Sequence, residues 1–166
     1  YSKITNKGRA MKKAYITGAT GAIGMALVGE LLKNGISTTV FLRKGSGRND
    51  RVKDSFSGEL ASGLLRIEYV SLEELSGYAL SRNTQDMQTY ASQDLLTKAA
   101  GGADTAVFYH LGWSGTFGAQ RNDADMQQKN VEYTLDAVRL AKKLGCTHFI
   151  GAGSQAEYGR VEGRLT

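Results

Sequence analysis

Proline is absent from the 166 residues, although average usage would place roughly eight in a chain of this length. Turns must be punctuated by glycine and asparagine instead. Cysteine is nearly absent too: a lone Cys146 cannot build an internal disulfide framework. Its place between a helical pattern and an apolar run fits a buried thiol. No segment approaches the ~20 apolar residues of a membrane span, and residues 1–10 contain no apolar stretch of the kind that marks a secretory signal. A cytoplasmic protein that engages no membrane is the expectation. No His, Cys, Asp and Glu cluster has the spacing of a metal site, and no nucleophile triad or nucleic-acid motif is present; His110 and His148 lie singly on strands as core-edge histidines. No metal is therefore expected.

Acidic residues are missing from residues 1–13, which carry Lys3, Lys7, Arg9, Lys12 and Lys13. Taking these five from the 21 bases leaves a body balanced against its 16 acids, so the net charge of +5 is a property of the leader. A nucleic-acid partner would need a basic stripe on folded structure, and none is expected here. Residues 1–10 read as a leader, an expression remnant or a disordered arm, with the native start at Met11. The remainder, 41% hydrophobic and 22% charged over the whole chain, has the length of one globular domain. Composition alone does not separate an enzyme from a binding module.

Apolar runs rich in β-branched and aromatic residues alternate with stretches of helical period, the pattern of βαβ units and a parallel sheet. Strands are expected at Ala14 to Thr17, Thr38 to Leu42, Leu65 to Val70, Ala106 to Leu111 and His148 to Ile150. Between the first two, Ile23, Ala26, Leu27 and Leu31 recur at helical spacing and stop at Asn34-Gly35. Val52, Phe56 and Leu60 suggest one short helix ending near Gly63. Asn83 or Thr84 opens a less distinct helix through Ala99. The longest helix runs from Asp123 to Leu144, with Val131, Leu135, Val138, Ala141 and Leu144 on its apolar face. The fold class is α/β: a Rossmann-type, doubly wound parallel sheet of about five strands, a single cofactor-binding domain over 11–166.

The sharpest motif is Thr17-Gly18-Ala19-Thr20-Gly21-Ala22-Ile23-Gly24, directly after the first strand and opening a helix. Glycines there allow a tight turn, close approach of a pyrophosphate and close packing of helix on strand, while the helix N-terminus supplies free N–H donors. A bare glycine triplet also suits a purely structural turn, but the strand before and helix after it favour a dinucleotide. The acid that selects NAD at the end of the second strand is missing. Arg43-Lys44 stand there instead, and a guanidinium pairs with a 2′-phosphate. NADP is expected in preference to NAD, against the alternative that these bases only solvate a surface loop.

With that turn, the segment His110-Leu111-Gly112-Trp113, the pairs Asn130-Val131 and Thr134-Leu135, and Gly151 to Gly159 in view, the chain resembles the extended short-chain dehydrogenase/reductase family. Within it, the resemblance is to NAD(P)-dependent epimerase/dehydratases of nucleotide sugars, and it covers Lys12 to Gly159. The resemblance implies that Gly18, Thr20, Gly21, Ala22, Ile23 and Gly24 surround the pyrophosphate. It places Leu111 and Gly112 under the nicotinamide ribose, Asn130 as the helix asparagine that organises the site, and Ser154 as the catalytic serine that holds the substrate oxygen. Ser71-Leu72 stand where the family often reads adenine with an Asp and an aliphatic residue. Gly151-Ala152-Gly153 replaces the serine-rich run that usually precedes the catalytic serine.

The family's Tyr-x-x-x-Lys pair would fall beyond Thr166. Tyr158 belongs to the serine motif, and Glu162 stands four residues after it. Without general acid/base catalysis from that pair, the chain as given is expected to bind cofactor without turnover, truncated before the substrate-binding part. The readings left open are an enzyme acting on a nucleotide sugar, a non-catalytic NADP-sensing protein, and a small-carbonyl reductase of the same superfamily. Assembly as a homodimer is also open.

Overall fold

The computed structural model describes residues 11–81, 105–116 and 118–153. Five strands, β1 (Met11–Thr17), β2 (Ser37–Leu42), β3 (Leu65–Tyr69), β4 (Thr105–His110) and β5 (His148–Gly151), form one sheet in the order β3-β2-β1-β4-β5. Every neighbouring pair is parallel. Helix α1 (Ala22–Lys33) joins β1 to β2, and α2 (Asn49–Ser55) and α3 (Ser57–Ala61) join β2 to β3. A 3-10 turn at Leu72–Glu74 and α4 (Leu75–Ser81) follow β3. After β4, a 3-10 turn at Gly118–Asn122 leads into α5 (Ala124–Lys143).

Alternation along the strands gives the sheet two apolar faces. Ala14, Ile16, Val40, Leu42 and Leu65 meet Val28, Leu31 and Leu32 of α1 and Val52 of α2 on one side. Tyr15, Phe41, Ala106 and Phe108 meet Leu75 and Ala79 of α4 and Ala137, Leu140 and Ala141 of α5 on the other. With both faces covered, the strands read as continuous apolar runs. The second face carries an aromatic layer: Phe108 stacks with Phe41 at 5.9 Å and with Phe149 at 5.7 Å between centroids. Chain order reverses across the β1–β4 pair, so the crevice beyond the carboxyl ends of these strands is the topological switch point where such sheets bind ligands.

Local chemistry sets the helix ends. Asn34 closes α1, its N–H bonded to the carbonyls of Glu30 and Leu31, and Gly35 follows at φ +70°. At the start of α5 the Asp123 carboxylate accepts from the Met126 N–H at 3.1 Å, while Lys142 and Lys143 occupy the last turn, signs that suit the helix dipole. Lys143 Nζ donates to the Ala79 carbonyl at 2.7 Å, fastening α5 to α4.

Two expectations are corrected and one further element is found. The helix expected through Val52, Phe56 and Leu60 is two short helices, because Phe56 leaves helical geometry at φ −130°, ψ 35° while its ring packs on the first apolar cluster. Residues 75–81 form a helix that apolar spacing does not reveal; a capping box between Ser71 and Glu74 initiates the turn that leads into it. On α5, Val131 and Leu135 are each 49% exposed and Val138 is 42% exposed, while Asn130, Ala137, Leu140 and Ala141 face the protein. Ala141 and Leu144 of the expected face do pack on the second apolar cluster, while Asn130 and Thr134 reach inward to Ser114 and His110. The helix expected from Asn83 or Thr84 to Ala99 lies outside the described residues.

Cys146 is half-buried beside the second apolar cluster, and burial pushes its thiol up to about 12. The thiolate is the nucleophile, and because a more basic thiolate is also more reactive, alkylation near neutral pH should be roughly 30- to 60-fold slower than for a thiol at the ordinary value of 9.0. Iodoacetamide labelling followed by mass spectrometry, native against urea-unfolded chain, reads this directly. Equal rates in the two states would refute it.

Candidate cofactor site at the ends of β1 and β4

The three glycines after β1 do different work. Gly18 takes φ +74°, and a Cβ there would lie 2.6 Å from the Leu111 carbonyl carbon and oxygen and 2.7 Å from Gly112 N. The turn leaving β1 thus presses on the backbone leaving β4. A Cβ on Gly24 would lie 2.3 Å from the Gly18 oxygen and 2.7 Å from Ala19 Cα, so helix α1 starts in contact with its own turn. Gly21 is unlike both: it is exposed, in extended geometry (φ −76°, ψ 168°), and a Cβ would meet only the Gly18 oxygen, at 3.5 Å. Protein packing does not require glycine at 21, whereas a ligand pressed against the turn would.

Gly21 caps α1, which has no side-chain cap and no acid in its first turn. The first N–H groups of a helix lack intrahelical acceptors and carry the positive end of its dipole. Ala22 is exposed beside them, Ile23 is 73% exposed and Thr20 is half-buried. This donor set, next to an open position where a Cβ would intrude, fits a pyrophosphate.

Under the β4 exit runs a buried polar chain. Gly112 N–H donates to Thr17 Oγ1 at 3.3 Å, and Thr17 Oγ1 lies 2.8 Å from His110 Nδ1. On the far side of the imidazole, Nε2 lies 3.3 Å from Thr134 Oγ1, and that hydroxyl donates to the Asn130 carbonyl at 2.9 Å. His110 is 4% exposed, its ring stacks with Phe149 at 6.0 Å, and burial pushes its pKa below the ordinary 6.5. Asn130, 1% exposed, clamps the next stretch of loop: Ser114 N–H donates to its Oδ1 at 2.9 Å, and its Nδ2 donates to the Ser114 carbonyl at 2.8 Å. Gln127 Oε1 takes a further bond from Asn130 Nδ2 and one from Trp113 Nε1. Asn130 therefore spends its amide on the loop, and any influence on a cofactor passes through residues 112–116.

The other expected residues lie at neighbouring strand ends. Arg43 and Lys44 are exposed just beyond β2. The Arg43 carbonyl is held by Asn49 Nδ2 at 2.9 Å, and Asn49 Oδ1 is buried with no partner among the described residues. Beyond β3, the Ser71 N–H and hydroxyl both donate to the Glu74 carboxylate, at 2.8 and 2.9 Å. These bonds hold the Glu74 pKa down, and the charge of Lys44 adds to the effect, so the exits of β2 and β3 face one another. Leu72 lies between them and the β4 exit, its Cδ2 being 3.0 Å from where a Cβ of Gly112 would stand. Leu111 is half-buried, with its N–H donating to the Thr17 carbonyl at 3.2 Å.

Ser154 lies outside the described residues. The segment leading to it passes the β4 exit, where Ala152 N–H donates to the His110 carbonyl at 3.0 Å. Sequence reasoning missed Thr17, His110 and Thr134 as a connected unit. The available signal was a threonine and a histidine closing two otherwise apolar strands.

Comparison with known proteins bears on the fold and the family. No match is found among curated protein sequences. Among solved structures, WbmG from Bordetella bronchiseptica in complex with NAD superposes with a TM-score of 0.60 at 16% identity, over 95% of this chain and 42% of that one. Yeast methylglyoxal/isovaleraldehyde reductase Gre2 complexed with NADPH gives 0.55 at 14% identity, over 87% and 37%. The UDP-Glc/GlcNAc 4-epimerase of Campylobacter jejuni gives 0.53 at 18% identity, over 89% and 39%. The chain thus spans about two fifths of these structures' length, and at such identities the likeness establishes the Rossmann-type fold. The profile of the NAD dependent epimerase/dehydratase family matches residues 14–165, nearly the whole chain, and the chain belongs to that family.

Proposed function

We propose that this chain is the cofactor-binding part of an NADP-preferring enzyme that epimerises, dehydrates or reduces a nucleotide sugar through hydride transfer. The observation that carries the proposal is the glycine turn at the β1–β4 crevice: Gly18 and Gly24 are demanded by internal contacts, and Gly21 is left open beside a bare helix N-terminus. A bound nicotinamide supplies the hydride acceptor or donor. Ala22 and Ile23 offer backbone N–H groups to the pyrophosphate, which Gly18, Gly21 and Gly24 surround, while the Gly21 N–H closes the turn on the Gly18 carbonyl at 3.2 Å. Leu111 and Gly112 pass under the nicotinamide ribose. Ser154 is assigned to the substrate oxygen, from its place in the sequence shortly after β5.

NADP is favoured because no acid ends β2, and Arg43 and Lys44 stand exposed where a 2′-phosphate would come. Neighbouring folds bind either cofactor, NADPH in the yeast reductase and NAD in WbmG. The preference therefore rests on these two bases. The nucleotide-sugar class is supported by the family and by the UDP-Glc/GlcNAc 4-epimerase among the neighbours.

Calorimetric titration of NADPH and NADH tests the cofactor assignment. The chain should bind NADPH about tenfold more tightly, the worth of one charge-assisted contact, and Arg43→Ala should remove most of that ratio while sparing NADH. Equal affinities in the unsubstituted chain would overturn the NADP preference, and no binding of either would overturn the cofactor site.

A further inference from the structure

Hydroxyls and imidazoles can face either way, but the chain under the β4 exit has one consistent direction. The Thr134 hydroxyl proton is committed to the Asn130 carbonyl at 2.9 Å, so toward His110 its oxygen can only accept. Nε2 of His110 must then carry the proton. Nδ1 is left as an acceptor, and Thr17 Oγ1 donates to it at 2.8 Å. With its proton so directed, Thr17 Oγ1 accepts from Gly112 N–H at 3.3 Å. Each bond fixes the direction of the next, from α5 through β4 and β1 to the loop backbone.

We propose that His110, as the neutral Nε2–H tautomer, is a positioning residue for the nicotinamide half of the cofactor, holding Gly112 in place through Thr17. This rests on the cofactor reading above. The place of the chain carries the argument: Gly112 adjoins Leu111, and their backbone is where a Cβ of Gly18 would collide at 2.6 to 2.7 Å. The phosphate turn and the β4 exit therefore have no slack between them, and a shift of Gly112 is felt at the turn. Burial supports the neutral form, because an imidazolium at 4% exposure would lose hydration. A second proton, on Nδ1, would also leave the Thr17 hydroxyl proton without its acceptor. Asn130 and Ser114 fix the next part of the loop by a separate pair of bonds, so His110 governs the loop at Gly112 specifically.

Two measurements test this. In the 15N-histidine spectrum of the unsubstituted chain at neutral pH, the buried histidine should show a protonated Nε2 and an unprotonated Nδ1; the opposite tautomer or an imidazolium would overturn the proposal. Calorimetry should then compare NADPH with its adenosine half, adenosine 2′,5′-bisphosphate. Thr17→Val, which keeps shape and removes both bonds of the hydroxyl, should weaken NADPH about tenfold or more and the bisphosphate clearly less, because the bisphosphate has no nicotinamide half to be positioned. Thr17→Ser, which restores the hydroxyl, should recover NADPH binding. Equal weakening of both ligands, or an unchanged NADPH affinity, would overturn the positioning role. If the unsubstituted chain bound neither NADPH nor NADH, the cofactor reading itself would fall, a result distinct from either of these.

Discussion

Gly24→Ala should lower the melting temperature by on the order of 10 °C, while Gly29→Ala in the same helix should leave it unchanged or raise it. Both substitutions exchange glycine for the best helix former, worth about 1 kcal/mol in a helix interior. They differ in what the new methyl meets. At 29 it would lie 3.6 Å from Phe56 Cε1, an ordinary contact with the ring edge. At 24 it would lie 2.3 Å from the Gly18 carbonyl oxygen and 2.7 Å from Ala19 Cα, and backbone cannot rotate aside as a side chain does. Overpacking of this kind costs about 3 kcal/mol or more when the obstacle is rigid, which outweighs the gain in propensity. The clash also pushes α1 off the turn and so should weaken cofactor binding. Thermal unfolding of both variants, followed by far-ultraviolet circular dichroism, decides the matter. A Gly24→Ala protein as stable as Gly29→Ala would show that the turn has room this structure denies it.

That contrast also marks what could be read in the residues alone. The strands were legible because a sheet covered on both faces needs apolar runs, and the glycine motif was legible because strand, turn and helix follow one another within a few residues. Its division of labour was not: whether a glycine is required by packing or by a ligand depends on Leu111 and Gly112, far away in the chain. Helix α5 misleads for a related reason. Its most apolar row contains Val131, Leu135 and Val138, yet the row facing the protein carries Asn130, Thr134 and Ala137, where two polar side chains find partners at Ser114 and His110. Periodicity weighs hydrophobicity and cannot see a hydrogen bond to another strand. The bond from Thr17 to His110 spans 93 positions, so neither residue looks unusual by itself. Residues 71–81 were obscure because a capping box, not an apolar stripe, starts that helical segment.

Gly21→Ser should separate stability from function more cleanly than any other single change in the turn. The position is exposed, its backbone is extended at φ −76°, ψ 168°, and its nearest obstacle is the Gly18 oxygen at 3.5 Å, so any residue can adopt the native conformation. It is also the N-cap of a helix that has no side-chain cap. Serine is a better N-cap than glycine by a few tenths of a kcal/mol, since its hydroxyl can accept from an unpaired N–H of the first turn. Folding stability should therefore hold or rise slightly. Cofactor binding should fall, because the side chain stands where the pyrophosphate must approach the backbone, and a capping hydroxyl takes one of the donors the phosphates need. Overpacking of about 1–3 kcal/mol at the ligand surface corresponds to roughly a 10- to 100-fold loss of dinucleotide affinity. The measurement is a pair: melting temperature without ligand, and calorimetric titration with NADPH and NADH. A variant that melts as the unsubstituted chain does and binds neither cofactor tightly is the expected result. Undiminished affinity would mean that no phosphate rests on Gly21, and a large loss of stability would mean that this glycine, like Gly18 and Gly24, serves the fold.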